Sequence, residues 1–234
     1  MTSTRTKHML SLVGSILLLM LFLVAYEALF VLLRISPLAQ LFQETTSSTS
    51  TLNHALYTFL RYALLLPLLG ALLLEARRVW EGGEVSAKDL FYFYTHNPGR
   101  NLPIIAGIAL ILTVLGSIPI VGIVVYTGIF LWPFVLKNAR GRHDLLWTLK
   151  TSWEKTNGCK ATIFGYVLGY QILSGVIGFA VGWIVWMMTP ENFALATAVG
   201  SVVALLAHPF AMCYASMHLF DEVPKSRFRE DFSS

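Results

Sequence analysis

The chain has 234 residues, 56% of them hydrophobic and 13% charged, with a mean hydropathy of +0.65. Soluble domains carry about 25% charged residues, so this chain has too little polar surface to coat a water-soluble globule, and a bilayer is its natural solvent. The net charge of +4 and the isoelectric point near 9.1 point to an anionic membrane surface rather than to nucleic acid, because of where the charges fall.

A membrane-crossing helix needs about 20 apolar residues. Arg5 and Lys7 precede an apolar run over 9–33, interrupted only by Glu27. The run exceeds the ~7–15 residues of a signal-peptide core and lacks an Ala-x-Ala exit, so it reads as a retained first span. Gln43 to Thr51 is a polar loop, 52–74 a second span, and Glu75 to Glu84 a charged connection. Residues 102–136 are apolar throughout. They form either one long tilted helix or two short spans, 102–117 and 119–136, turning at Gly116-Ser117-Ile118-Pro119, where Gly and Pro together interrupt helices. The last two spans, 161–188 and 193–220, are separated by Thr189-Pro190-Glu191-Asn192.

Charge decides between the two readings of 102–136. With the N-terminus in the cytoplasm and six spans, fifteen of the seventeen Lys and Arg residues fall on the cytoplasmic side, all but Arg34 and Arg61. That satisfies the positive-inside rule, whereas a single span there would put the basic loop from Lys137 to Lys160 outside. The expected fold is therefore an all-α membrane domain of six spans in three hairpins, with both termini cytoplasmic in a bacterial inner membrane. Trp80, Trp147 and Trp153 mark cytoplasmic helix ends, and Trp183 and Trp186 an outer one, as aromatic belts do. Cys159 and Cys213 lie near the reducing side without metal-ligand spacing, so neither a metal site nor a structural disulfide is expected.

The even-numbered spans each carry a proline before a bulky apolar residue: Pro67-Leu68, Pro133-Phe134 and Pro209-Phe210. These prolines are expected to kink their helices. Two odd-numbered spans have similar lead-ins, Asp89-Leu-Phe and Asp144-Leu-Leu. At about 100° per residue, Leu145, Leu146, Leu149 and Trp153 form an apolar stripe, while Asp144, Thr148, Thr151, Glu154 and Lys155 point elsewhere. Interfacial amphipathic helices are therefore expected at 85–97 and 143–156, with Trp147, Trp153, Lys150 and Lys155 meeting the anionic leaflet. These basic-aromatic lead-ins, the Gly-rich spans and the ending Pro209-Phe-Ala-Met-Cys-Tyr-Ala-Ser-Met-His-Leu-Phe-Asp221 resemble the membrane domain attached to some glycerophosphodiester phosphodiesterases and related bacterial inner-membrane proteins. The resemblance covers roughly residues 85–222. It implies an architecture but no catalytic residues, because the phosphodiesterase's barrel domain has no counterpart in these residues.

Three ionisable residues lie inside spans, where a charge costs several kcal/mol unless it is paired or hydrated. Glu27 and Arg61 fall at similar depth on adjacent antiparallel spans and read either as a structural ion pair or as a substrate or proton site. His208 precedes Pro209, whose missing N–H frees a carbonyl near 205; it is either a hydrogen-bonded core histidine or part of a polar groove. Gly165-x-x-x-Gly169 and Gly178-x-x-x-Gly182 permit close helix approach on two different faces, toward partners within the bundle or in a homo-oligomer. His-Glu-x-x-His, Gly-x-Ser-x-Gly and Walker sequences are absent. The leading expectation is a non-enzymatic scaffold, regulator or accessory subunit without cofactor, engaging membrane lipids or a membrane-protein partner. The alternative is a small transporter or lipid-handling protein with a polar groove near Glu27, Arg61 and His208. A cysteine placed at Ser117, in a background lacking Cys159 and Cys213, is expected to react with an impermeant maleimide from the outside; labelling only from the cytoplasm overturns the six-span topology.

Overall fold

With no water in the hydrocarbon to satisfy backbone groups, an apolar chain crosses a bilayer as helices. The computed structural model describes residues 2–32, 51–116, 118–139 and 144–224, and all of their regular structure is helical. In chain order the helices are α1 (Thr2–Leu32), α2 (Thr51–Trp80), a 3-10 turn (Ala87–Phe91) running into α3 (Tyr92–Thr95), α4 (Pro98–Gly116), α5 (Pro119–Ile129), α6 (Trp132–Asn138), α7 (Leu145–Lys155), α8 (Lys160–Met188) and α9 (Phe193–Glu222). Six segments are long and apolar enough to cross a membrane: α1, α2, α4, α5 with α6, α8 and α9. Arg34, Ser117, Arg140, Arg142, His143, the loop 43–50 and the basic residues after 224 lie outside the described residues, as do the side chains of Arg5, Lys7 and His54.

The interruption expected between 102 and 136 is present. α4 ends at Gly116, and Pro119 opens α5, its fixed φ suiting the first helical turn. The two helix ends nearly touch there: a Cβ on Gly122 would lie 2.8 Å from the Cα of Gly116. A second interruption was not expected. The helix stops at Phe130–Leu131 and restarts at Trp132 with Pro133 in its first turn. Pro133 therefore does not kink a continuous helix, as the sequence suggested, but opens a new one.

α2 is the most enclosed span, with 61% of its apolar window buried. It packs against α1, α4, α9 and the 87–95 segment. Gly70 on α2 leaves a notch that Trp132 fills; a Cβ there would meet the indole at 2.5 Å. Phe93, fully buried, lies against the same indole with ring centroids 5.3 Å apart. The 87–95 segment, expected as a membrane-surface helix, thus sends Leu90 and Phe93 into the protein core.

α7 turns polar residues inward and leaves much of its apolar stripe open. Its buried residues are Thr148 and Ser152, both 0% exposed, while Leu146 is 74% exposed. The cause is close approach. Leu145 fills the space over Gly107 of α4, and the Trp153 ring covers Gly128 of α5. Short polar side chains fit that gap. The Thr148 hydroxyl donates to the Asp144 carbonyl at 2.9 Å and the Thr156 hydroxyl to the Gly128 carbonyl at 3.0 Å, so both satisfy their hydrogen bonds on the backbone.

α8 and α9 pack antiparallel over most of their length. Gly178 meets Gly200 and Ala204, and Gly182 meets Ala196 and Gly200, the close backbone contact that small residues permit. Gly165 and Gly169 do not join this seam: a Cβ at either position meets nothing within 4 Å. The pair stands out from the bundle, with only 11% and 17% of the two apolar windows buried. Gly178→Leu is expected to cost about 1–3 kcal/mol, the usual range for overpacking, in reversible denaturation in detergent. Gly175→Leu, whose added Cβ meets open space, is expected to be near neutral.

Candidate functional site

Polar groups inside a span are costly to bury, so their clusters mark where the structure does more than fill space. One cluster joins α1 to α2 at the end of the bundle away from the basic segments. Glu27 is 7% exposed, and its Oε1 accepts from the Tyr57 hydroxyl at 2.5 Å. The Tyr26 hydroxyl donates to the Tyr57 carbonyl at 3.3 Å. Arg61, one turn along α2 from Tyr57 and half-buried, lies within electrostatic reach of Tyr26. One partner of the Glu27 carboxylate is therefore Tyr57 of α2, a residue that depth alone does not mark. A phenol and a carboxylate form a short charge-assisted bond that leaves the guanidinium with freedom to face elsewhere.

Arg61 also lies within electrostatic reach of His208, and His208 lines a cavity of about 300 Å³ at the meeting of α2, α4, α5, α8 and α9. The polar lining comes from Tyr62 of α2, Tyr126 of α5, Tyr170 and Gln171 of α8, and His208 of α9; Gly116 and Gly122 carry it to the α4–α5 turn. The His208 ring stands edge-to-face on Tyr170, with centroids 5.1 Å apart. The Tyr126 and Tyr170 hydroxyls face one another. That of Tyr170, a residue only 2% exposed, makes no hydrogen bond of good geometry. A buried hydroxyl left in this state is an available donor and acceptor for a molecule in the cavity.

Two of the three prolines shape this region from inside their helices. Pro67 removes a donor from the turn of α2 at Ala63–Leu64, and the Tyr94 hydroxyl supplies one to the Leu64 carbonyl at 2.7 Å. Pro209 adjoins His208 within α9 and loosens the turn that carries it. Pro133 acts through the break described above. Arg100, read in sequence as a leaflet-facing cation, donates to the Leu136 and Ala139 carbonyls at 3.3 and 3.1 Å and caps the C-terminal end of α6.

The residues assigned to the lipid interface hold mixed positions. Trp153 is 40% exposed, one face on Gly128 and the Lys160 ammonium 3.8 Å from its ring centroid, a cation–π contact. Lys150 is exposed and pairs with Glu154 at 3.9 Å, one helical turn away. Trp147 and Lys155 are partly exposed on the same helix.

A residue the sequence reading placed outside the spans is buried. Glu75, taken as the start of a charged connection, continues α2 and is 2% exposed beside Ser15 of α1, with no hydrogen bond to either carboxylate oxygen. The helix itself runs on to Trp80, with Arg77 sheltered between the Trp80 and Phe220 rings at 4.7 and 5.2 Å and paired with Glu81 at 2.6 Å. Tyr62, Tyr126, Tyr170 and Gln171 were not singled out either; single tyrosines in separate spans carry no spacing that marks a shared cavity.

No protein-family model, curated protein or solved structure matches this chain.

Loss of the Tyr57 hydroxyl takes a donor from a buried carboxylate, which costs about 1–3 kcal/mol or more for a charged group. Tyr57→Phe is expected to destabilise by that amount in detergent. In a double-mutant cycle with Glu27→Gln, the combined loss is expected to fall well short of the sum; additive losses overturn the pairing.

Proposed function

We propose that this chain is a non-enzymatic, multi-pass protein of a bacterial inner membrane that binds and moves a small amphiphile through its central cavity. The observation that carries this reading is the convergence of Tyr62, Tyr126, Tyr170, Gln171 and His208 from four helices on one cavity of about 300 Å³. Hydroxyl, amide and imidazole groups there suit the polar end of an amphiphile. The Leu66, Leu69 and Leu112 side chains in the same lining suit its apolar end. Arg61 adds a nearby positive charge, which favours an anionic or zwitterionic ligand.

In this reading the helices form three hairpins, α1–α2, α4 with α5–α6, and α8–α9, and both termini are cytoplasmic. The 3-10–α3 segment and α7 lie at the cytoplasmic face, where the concentration of Lys and Arg meets the anionic leaflet. A scaffold role has its own support in the α8–α9 pair, whose far end bares Phe179, Trp183, Trp186 and Phe193 around an apolar recess of about 460 Å³. Bilayer lipid also covers such a surface, so the polar cavity weighs more.

In proteoliposomes the protein is expected to accelerate transbilayer movement of an NBD-labelled lysophospholipid. His208→Gln and Tyr170→Phe are expected to slow it by an order of magnitude, about 1.4 kcal/mol of coupling, with Lys150→Gln unchanged. Wild-type rates no faster than empty vesicles, or unaltered rates in both cavity variants, overturn the reading.

A further inference from the structure

A second cavity, separate from the central one, lies between α8 and α9 on the half of the pair nearer their Lys160 and Glu222 ends. It is an open groove of about 550 Å³. Its floor is made of small residues, among them Gly165, Gly169 and Ala211, and the two glycines leave space that nothing in the described chain fills. Tyr166, Tyr214, His218 and Glu222 gather at one end, and Tyr170 and Leu173 lie at the other. The groove is thus polar toward the helix ends and apolar toward the middle of the bundle. From Ala161 to Leu173 it extends about 18 Å along α8 at 1.5 Å per residue, close to one leaflet of a ~30 Å hydrocarbon core.

The polar end carries the Glu222 carboxylate. Glu222 Oε1 accepts from the Tyr166 hydroxyl at 2.9 Å, which orients the carboxylate and leaves its other oxygen for a ligand. Asp221 lies within electrostatic reach of the same tyrosine. Lys160, the cation beside the groove in sequence, is turned onto the Trp153 ring. Tyr214 is 65% exposed, with His218 edge-on to it at 4.8 Å, and offers an aromatic face. A carboxylate with neighbouring aromatic faces is the chemistry that holds an ammonium group.

We infer that this groove is a binding site for one phospholipid with an ammonium-bearing headgroup, the ammonium at Glu222 and Tyr214 and an acyl chain over Gly165 and Gly169. The site is independent of ligand movement through the central cavity and stands whether or not that reading holds.

Native mass spectrometry tests it on the full chain reconstituted with equal amounts of phosphatidylethanolamine and phosphatidylglycerol, then extracted into mild detergent. Wild type is expected to retain one phosphatidylethanolamine severalfold over phosphatidylglycerol. Glu222→Gln, at an exposed helix end, is expected to erase the preference while leaving the fold intact. Gly169→Leu is expected to lose the bound lipid, and Gly175→Leu, an equally open glycine on the same helix, to keep it. Equal retention of both lipids by wild type overturns the inference. So does identical behaviour of the two glycine variants, or a dimer that Gly169→Leu dissociates, which assigns the groove to a second copy of the chain.

Discussion

The bundle depends on the notch at Gly70. Trp132 enters it, and an indole placed that close to the α2 backbone requires a residue without a side chain opposite. Three other elements are positioned by this contact. Phe93 packs on the indole, which seats the 87–95 segment against α2 and brings Tyr94 to the Leu64 carbonyl. α6 must begin afresh at Trp132, and Pro133, with no N–H to donate backward, makes the break compatible with its own missing bond. Arg100 then closes the far end of α6 by capping its carbonyls. Large side chains meet at a glycine here, as they do where Leu145 covers Gly107 and Trp153 covers Gly128. Between apolar helices in lipid, such fitting supplies much of the association energy that water exclusion supplies in soluble proteins.

The polar residues divide into those that close a contact and those left open. Tyr57 and Glu27 complete one another, and Tyr26 ties both to the α2 backbone. They serve as a clasp between the first two spans. The tyrosines, Gln171 and His208 around the central cavity have more hydrogen-bonding capacity than the protein uses, most plainly at Tyr170. Packing in protein interiors leaves few voids, so a recess lined with this capacity, rather than with leucine, is where chemistry distinguishes the molecule from a set of spans.

Much of the architecture was legible in residue order alone. Hydropathy located the spans, and the Lys and Arg distribution divided 102–136 where Gly116 and Pro119 do end and begin helices. Depth counting put Glu27 and Arg61 at one level, but the hydrogen bond of Glu27 to Tyr57 depended on helix rotation, which depth does not encode. The failures share a cause. The Phe91–Tyr94 aromatics suit either membrane or protein by composition, and Phe93 takes the protein side. The glycines that Leu145 and Trp153 cover, Gly107 and Gly128, belong to other helices, which the pattern of one short helix does not encode. A charge ends an apolar run by composition, yet the helix continues past Glu75, and Trp80 and Phe220 shelter the neighbouring Arg77.

The α8–α9 seam bears on the order of assembly. Its contacts, Gly178 with Ala204 and Gly182 with Ala196, join residues close in sequence, so closing that loop carries a small entropic cost and the pair can form as soon as both helices are in the bilayer. The contacts of α9 with α1 span almost the whole chain and await its final helix. Before then the first span already meets α2 and the Ala87–Phe91 turn, with the Tyr57–Glu27 bond as one tether, and α9 adds a further wall once the α8–α9 pair packs on the bundle.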